Sequence, residues 1–372
     1  MASRKKNASK PEAELAVEGL TSSQHKAKKK ILAKPIKQVQ VGKGMRAADL
    51  VESMSGMSIQ ARNIGRCAEV LKGMYEDKAR PTVLLGLAGP LIAAGLRRVI
   101  RDLVVGGYVD VVVSTGAILY QDIYQARGFR HYKGTPAADD VELRSLLIDR
   151  IYDTYVDEEK FWETDKWCGR VSDELPTGEY SSRAYLDFLG SKLDDEESIV
   201  YQCHKLGVPI FCPAINDSSI GIGLTDAYYR AKQGKRPPFS INSIRDNYEL
   251  VQIVVQSKKT AAIYVAGGVP KNYINDSIVM GYIFGLDRGH DYALQVTTAV
   301  TADGGLSSST LGEAQSWGKI AGQANFAMAW VEPSVSLPLL ASYAFDRFPA
   351  PCRPRLKYTW DGDTLASLKS KK

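Results

Sequence analysis

From Pro81 onward the chain repeats one rhythm: a short apolar run, a turn of small residues, then apolar positions at helical spacing. The runs are Thr82–Leu87, Val109–Ser114, Val208–Cys212, Ala261–Val265, Ala293–Thr298 and Phe326–Val331. Strands buried on both faces lose the polar half of the two-residue alternation and read as continuous apolar stretches. Joined by amphipathic helices, these runs predict an α/β fold, a doubly wound, largely parallel sheet with helices on both faces. Ahead of them, Ala47–Met54 and Ile59–Met74 carry apolar residues at helical spacing, with Asn63, Arg66 and Lys72 on the other side, and predict two helices packed on a core. Pro333 is placed to open a helix after the last run.

Residues 126–195 interrupt the rhythm. Their aromatic and charged content, as in Tyr152–Glu159, predicts a helical insertion beside the sheet. After Phe345 the chain turns rich in proline and lysine and is expected to be peripheral. The predicted organisation is a mobile basic tail over 1–42, a single α/β domain over 43–348 and a peripheral tail over 349–372.

Charge changes this picture once it is located. The formal net charge is +6, but residues 1–43 hold eleven Lys/Arg against three Glu, which leaves the rest of the chain at −2. A slightly acidic body lacks the basic face that a phosphate backbone requires, so no nucleic-acid partner is expected. The five cysteines form no CxxC pair, and their odd number points to reduced thiols in a cytosol. The four histidines show no ligand spacing, so no metal is expected. The longest uncharged apolar run, Val83–Leu96, is broken by Gly86, Gly89, Pro90 and Gly95, and the lysine-rich N-terminus has no apolar core of a secretion signal. A cytoplasmic protein without membrane contact is expected.

Five predicted strand ends carry small or hydroxylated residues: Ala88-Gly89, Thr115-Gly116-Ala117, Asp217-Ser218-Ser219, Gly267-Gly268 and Thr298-Ala299. In open parallel sheets ligands bind at such ends, where amides and helix N-termini can approach a pyrophosphate. No GxGxxG and no GxxxxGK[ST] is present, and glycines also end strands for steric reasons, so the turns alone leave both readings open. A second feature is Lys319, set between Trp317 and a small-residue turn. If that turn aims the ammonium into a dry pocket, desolvation yields a neutral amine near physiological pH, a nucleophile toward carbonyls and imines. Trp317 could wall an alkylammonium and Glu313 anchor one; a core tryptophan and a solvated glutamate are the plain alternatives.

The segment Ser316-Trp317-Gly318-Lys319-Ile320 resembles the active-site motif of the deoxyhypusine synthase family. The resemblance runs roughly from Lys43 to Phe345 and includes Leu85-Gly86, Val109-Asp110-Val111, Asp217, Gly267-Gly268-Val269, Asp303 and Leu337-Pro338-Leu339-Leu340. It implies that Lys319 carries an imine to an aminobutyl group taken from spermidine with the help of NAD. It implies NAD contacts at Gly89, Pro90, Thr115, Gly116, Asp217, Gly267, Gly268, Thr298, Ala299, Asp303 and Glu332, and amine-side positions at Trp317, Glu313, Asn272 and Gln121. A homotetramer with sites shared between subunits follows from the same resemblance.

The match has departures. Ile222 and Leu306 stand where spermidine-using members carry carboxylates, Asn272 replaces a histidine, Gln121 a glutamate, Gln295 a tyrosine, and Glu332 an aspartate. Each lost charge-assisted contact would weaken trication binding by about 1.5–3 kcal/mol. The losses fall on amine recognition and spare the lysine. The expectation is an NAD-dependent aminoalkyl (aminobutyl) transferase of polyamine metabolism, for example one forming homospermidine from spermidine and putrescine. Modification of a lysine on the hypusine-containing translation factor is the alternative, and a non-catalytic NAD-binding protein is a third reading.

Overall fold

The computed structural model describes residues 19–235 and 237–370. Six strands form its central sheet: β1 (Thr82–Leu87), β2 (Val111–Ser114), β3 (Ile210–Phe211), β4 (Thr260–Val265), β5 (His290–Val296) and β6 (Ile320–Ala329). Successive side chains point to opposite faces, and that alternation divides the interior into two cores. Val83, Leu85 and Leu87 of β1, with Ala261, Ile263 and Val265 of β4, enter one core. Leu84 of β1 and Ala262 and Tyr264 of β4 enter the other. Both faces are covered, which is why the strands read as unbroken apolar runs.

The first core is closed by helices Ala47–Met54, Ile59–Glu76, Arg97–Val105, Gly116–Ala126 and Pro333–Arg347. Helices Ser243–Gln256, Gly268–Gly281 and Leu311–Ser316 close the second. All strand pairs of the sheet are parallel, in the order β6-β5-β4-β1-β2-β3. The chain thus winds outward from β1 to β3, returns to lay β4 beside β1, and winds outward again. The doubly wound expectation holds, and the order reverses between β1 and β4, the position where such sheets open a ligand crevice.

Several local expectations need correction. The helix expected directly after Ala88-Gly89-Pro90 begins only at Arg97, because Leu91–Leu96 fold as turns with Gly95 at φ +84°. The insertion is not purely helical. Tyr132–Lys133, Thr154–Asp157 and Ile148–Ile151 form a small antiparallel sheet, closed at Tyr152 with φ 55°. The alternation Thr154-Tyr155-Val156-Asp157 is a strand pattern obscured by the acidic run that follows it.

Of the expected basic tail, residues 1–18 lie outside the described residues. Ser22–Ile31 form a helix without buried side chains, started by a Thr21/Gln24 capping box and ended by Lys28, Lys29 and Lys30, which suit the negative end of its dipole. Chain contacts separate the segment up to Gln38 from a unit that starts at Val39. Among the described residues no helix is long and apolar enough to cross a membrane.

The segment after Phe345 is not merely peripheral. Leu356–Asp361 and Thr364–Ser370 pair as an antiparallel hairpin, and Leu365 is buried in the second core. Arg353 is also buried, donating to the Pro81 carbonyl at 2.6 Å and to Asp110 at 2.9 Å. Asp110 further accepts from both terminal nitrogens of Arg80, at 2.8 and 2.6 Å, and from the Val83 amide at 2.9 Å. Burial pushes its carboxyl up, but Arg353, Arg80 and the amide outweigh that and hold it below the ordinary carboxylate range.

Asp110→Ala would strand the buried Arg353 without a counter-charge and should cost about 3–5 kcal/mol in urea unfolding. A lowered folded pKa means that the Asp110 contribution is fully present above the unfolded value of about 3.9. It is lost as pH falls through the folded value, so the difference in stability between wild type and Asp110→Asn should shrink on acidification below that point.

Candidate active site

The crevice at the order reversal is built from small residues. The ladder continues past the strand ends, with the Ala88 amide donating to Val265 O at 3.1 Å, Thr115 to Leu87 O at 3.1 Å and Ala266 to Val296 O at 2.8 Å. These bonds set the turns after β1, β2, β4 and β5 side by side. Gly89 adopts φ +85°, and a side chain there would meet only the Ala266 Cβ, at 4.0 Å. Ala266 itself sits at φ 62°, a conformation that costs a non-glycine residue about 1–3 kcal/mol. Gly267 caps helix Gly268–Gly281, and a Cβ on it would lie 2.6 Å from the Ser307 Cα. Glycine turns that end at a helix N-terminus are of the kind that lets backbone amides approach a pyrophosphate.

The neighbouring turns bring in further predicted positions. Thr115 precedes helix Gly116–Ala126, and a Cβ on Gly116 would fall 2.3 Å from Ser218 Oγ, so this turn packs against the one carrying Asp217. Asp217 and Asp303 are exposed, as are Pro90 and Thr298; Ala299 donates its amide to Thr297 Oγ1 at 3.1 Å. Glu332 is the N-cap of helix Pro333–Arg347, its carboxylate accepting from the Ser334 amide at 2.8 Å and from the Ser334 hydroxyl.

Lys319 lies in a cleft of about 520 Å³ that runs along the outer side of helix Gly268–Gly281. Val269, Asn272, Asp276, Val279 and Met280 of that helix line it, at spacings that share one helical side, with Leu306 and Trp317 opposite. The lysine is the residue before β6, and Gly318, at φ +70°, turns the chain out of the short helix Leu311–Ser316 to place it there. A side chain on Gly318 would collide with the Tyr282 hydroxyl at 2.3 Å. Lys319 Nζ lies 2.9 Å from Asp276 Oδ1, 3.3 Å from Asn272 Oδ1 and 5.5 Å from the centre of the Trp317 ring. Asn272 in turn donates to Asp276 Oδ2 at 2.7 Å. The lysine side chain is only 15% exposed, yet its partner is a carboxylate, so the cleft holds an ion pair and the condition of a dry pocket, under which the turn would yield a neutral amine, is not met.

The loop over the cleft is braced from inside. Gln295 on β5 donates to Ala266 O at 2.7 Å and Ser307 O at 2.9 Å, and its Oε1 is buried without a partner. Lys271 is wholly buried and donates to Ser309 O and Oγ. Burial brings its ammonium down to about 8; the Glu313 carboxylate opposes that shift and the Lys319 charge adds to it.

The cleft therefore unites Lys319, Trp317 and Asn272 and adds Asp276 and Asn247, which the sequence reading passed over, while the buried Lys271 stays outside its lining. Asp276 stands four residues after Asn272, one helical turn, and that spacing was a usable signal. Gln121 lies elsewhere, buried on helix Gly116–Ala126. Glu313 closes a capping box with Thr310 and is absent from the cleft lining. Ile222 is exposed on helix Ser219–Gln233 and is not among the residues lining the lysine's cleft, whereas Leu306 is. A larger cavity of about 620 Å³, lined among others by Ile215, Leu224, Tyr228 and Phe239, contains no amine and lies outside this arrangement.

Sheet order, switch-point crevice and lysine cleft define a doubly wound α/β protein of the kind that binds dinucleotides. The chain belongs to the deoxyhypusine synthase family, whose model matches residues 49–344. It is 42% identical over 323 residues to a deoxyhypusine synthase-like protein of Chlorobaculum parvum, covering 85% of this chain and 91% of the relative. It is 38% identical over 320 residues to a "Probable deoxyhypusine synthase 2" of Methanosarcina mazei, with 85% and 91% covered. A solved Entamoeba histolytica protein assigned as a deoxyhypusine synthase shares the fold, with a TM-score of 0.58 at 19% identity over 84% of this chain and 97% of that one. The chain is thus a member of an enzyme family.

Gly267→Ala tests the crevice. Its Cβ meets backbone at 2.6 Å, so the Ser307 loop must move, and unfolding in urea should show a loss of about 1–3 kcal/mol. Gly322→Ala, with open space around the new Cβ, should stay within about 0.5 kcal/mol of wild type.

Proposed function

We propose that the chain is an NAD-dependent aminoalkyl transferase that works through an imine on Lys319 and uses small amines as donor and acceptor, for example forming homospermidine from spermidine and putrescine. The observation that carries this is the Lys319 ammonium held by Asp276 and Asn272 beside the face of Trp317, in a chain of this family.

The crevice residues fit NAD: Gly89, Pro90, Thr115, Gly116, Gly267 and Gly268 would admit its pyrophosphate, and Asp217, Thr298, Ala299, Asp303 and Glu332 stand on the surrounding turns. Held by these turns, NAD would supply the redox chemistry, as acceptor of a hydride from the carbon beside the donor nitrogen and as its source for the product. Lys319 attacks the resulting iminium carbon; its new C–N bond forms as the bond to the leaving diamine breaks, and that diamine departs as diaminopropane when spermidine is the donor. Asp276, within hydrogen-bond reach, takes the proton that the attacking amine must shed. The acceptor amine then attacks the Lys319 imine, forming its own bond to that carbon and releasing the lysine.

The cleft wall is apolar at Val269, Val279, Met280 and Leu306, with Asp276 as its one carboxylate. That suits an alkyl spacer with a single ammonium inside, and it disfavours burying a whole trication, since each unpaired charge forfeits about 1.5–3 kcal/mol.

Incubation with spermidine and putrescine, with and without NAD, followed by mass spectrometry of the amines, tests the reading. Homospermidine and diaminopropane should form only with NAD, should vanish in Lys319→Ala and should fall about a hundredfold in Asp276→Asn. Full transfer by Lys319→Ala would sink the lysine assignment. Turnover only when the hypusine-containing translation factor is supplied would replace the small-amine acceptor by a protein lysine.

A further inference from the structure

The cavity of about 620 Å³ shares no lining residue with the lysine cleft. It lies beyond the end of β3, the last strand of the sheet, where Cys212 and Ile215 line it. Gly221, Leu224, Tyr228 and Ala231 follow at steps of three and four residues, one side of helix Ser219–Gln233, and that side borders the cavity. Phe239, stacked on Tyr185 with ring centres 6.2 Å apart, adds a second aromatic wall. Cavities of this size hold small organic molecules, and apolar walls with a few convergent polar groups are their usual make-up.

The polar group that stands out in the lining is Asp246, in the first turn of helix Ser243–Gln256. It is 1% exposed, and its Oδ1 accepts from the Ser182 amide at 2.7 Å. Among the described residues no lysine or arginine pairs with it. The carboxylates around it are served: Glu249 accepts from Arg183 at 2.6 Å and Arg245 at 3.1 Å, and Asp173, the other carboxylate of the lining, meets Arg230 at 2.7 Å. Buried carboxylates are ordinarily matched by a cation. Burial pushes the Asp246 carboxyl up to about 7, against the Ser182 hydrogen bonds that favour its charged form. Holding the Ser182 amide calls only for an acceptor oxygen, which a neutral amide side chain would also supply.

We propose that this cavity is a second ligand site, for a compact monoamine whose apolar or aromatic body lies against Leu224, Tyr228 and Phe239 and whose ammonium pairs with Asp246. The aromatic walls suit such a cation as well as its apolar body. One carboxylate without a cation serves one ammonium. A diamine would bring a second charge against apolar walls and bind more weakly.

The test is calorimetric titration of phenethylamine into the purified full-length chain, with phenethyl alcohol as its neutral counterpart and putrescine as a diamine. Phenethylamine should saturate a single site, about tenfold or more tighter than either of the others. Asp246→Asn keeps an acceptor for Ser182; it should bind the amine about tenfold more weakly and the alcohol within about twofold of wild type. Thr225→Trp places a bulky side chain on an exposed residue of the lining and should block both ligands, which keeps the site testable should the asparagine protein fail to fold. Asp276→Asn, in the lysine cleft, should bind phenethylamine as wild type does. Absence of saturable phenethylamine binding, equal affinity for amine and alcohol, or an Asp246→Asn protein that binds the amine like wild type overturns the inference. So does binding that survives Thr225→Trp and is lost in Asp276→Asn, which would assign the amine to the lysine cleft instead.

Discussion

The close approach of Gly267 to the Ser307 backbone governs the geometry of the site. Only a residue without Cβ allows the helix N-terminus and the loop after β5 to meet at this distance, and Gln295 and Lys271 then fasten the loop from beneath. The helix that starts at this contact caps the switch-point crevice with its first residues and lines the lysine cleft with Asn272 and Asp276. The switch-point turn and the lysine cleft therefore share one helix rather than lying on separate loops. A catalytic constellation needs such support, because an error of an ångström in position already lowers rates strongly.

The sequence carried the sheet plainly, since strands buried on both faces show themselves as apolar runs and the small residues behind them mark the turns. It carried Lys319 through its local frame of Trp317 and Gly318. What it hid depends on distant packing. Lys271 looks like any helix-surface lysine until Ser309, thirty-eight residues later, is seen to receive it. Glu313 looked like a substrate anchor because a capping box and a binding carboxylate use the same residue type. The strands of the insertion were lost in a charged stretch whose alternation is only four residues long, and the hairpin after Leu356 was lost behind prolines. Arg353 shows the same limit: nothing near it in the chain announces that it closes a buried network on Asp110.

The departures from the family pattern take on a physical sense in the structure. Leu306 lines the cleft at a position where the family resemblance implies a carboxylate, whereas Ile222, exposed on helix Ser219–Gln233, is not among the residues lining it. Asp276 places a carboxylate one turn beyond Asn272 and directly on the lysine. Negative charge in the cleft is thus concentrated at the Lys319 ammonium, with Asp276 as the one carboxylate of the lining.

The helix also separates two opposite electrostatic demands along its length. Its N-terminus, at Gly267 and Gly268, carries the positive end of the helix dipole, the end that favours phosphate charge. One to two turns on, Asn272 and Asp276 present acceptors, as a cationic amine requires. A dipole falls off within its first turn, so the carboxylate at Asp276 does not cancel it. The positive end of the dipole at Gly267 and Gly268 and the carboxylate of Asp276 thus sit about two turns apart on a single helix, so neither cancels the other.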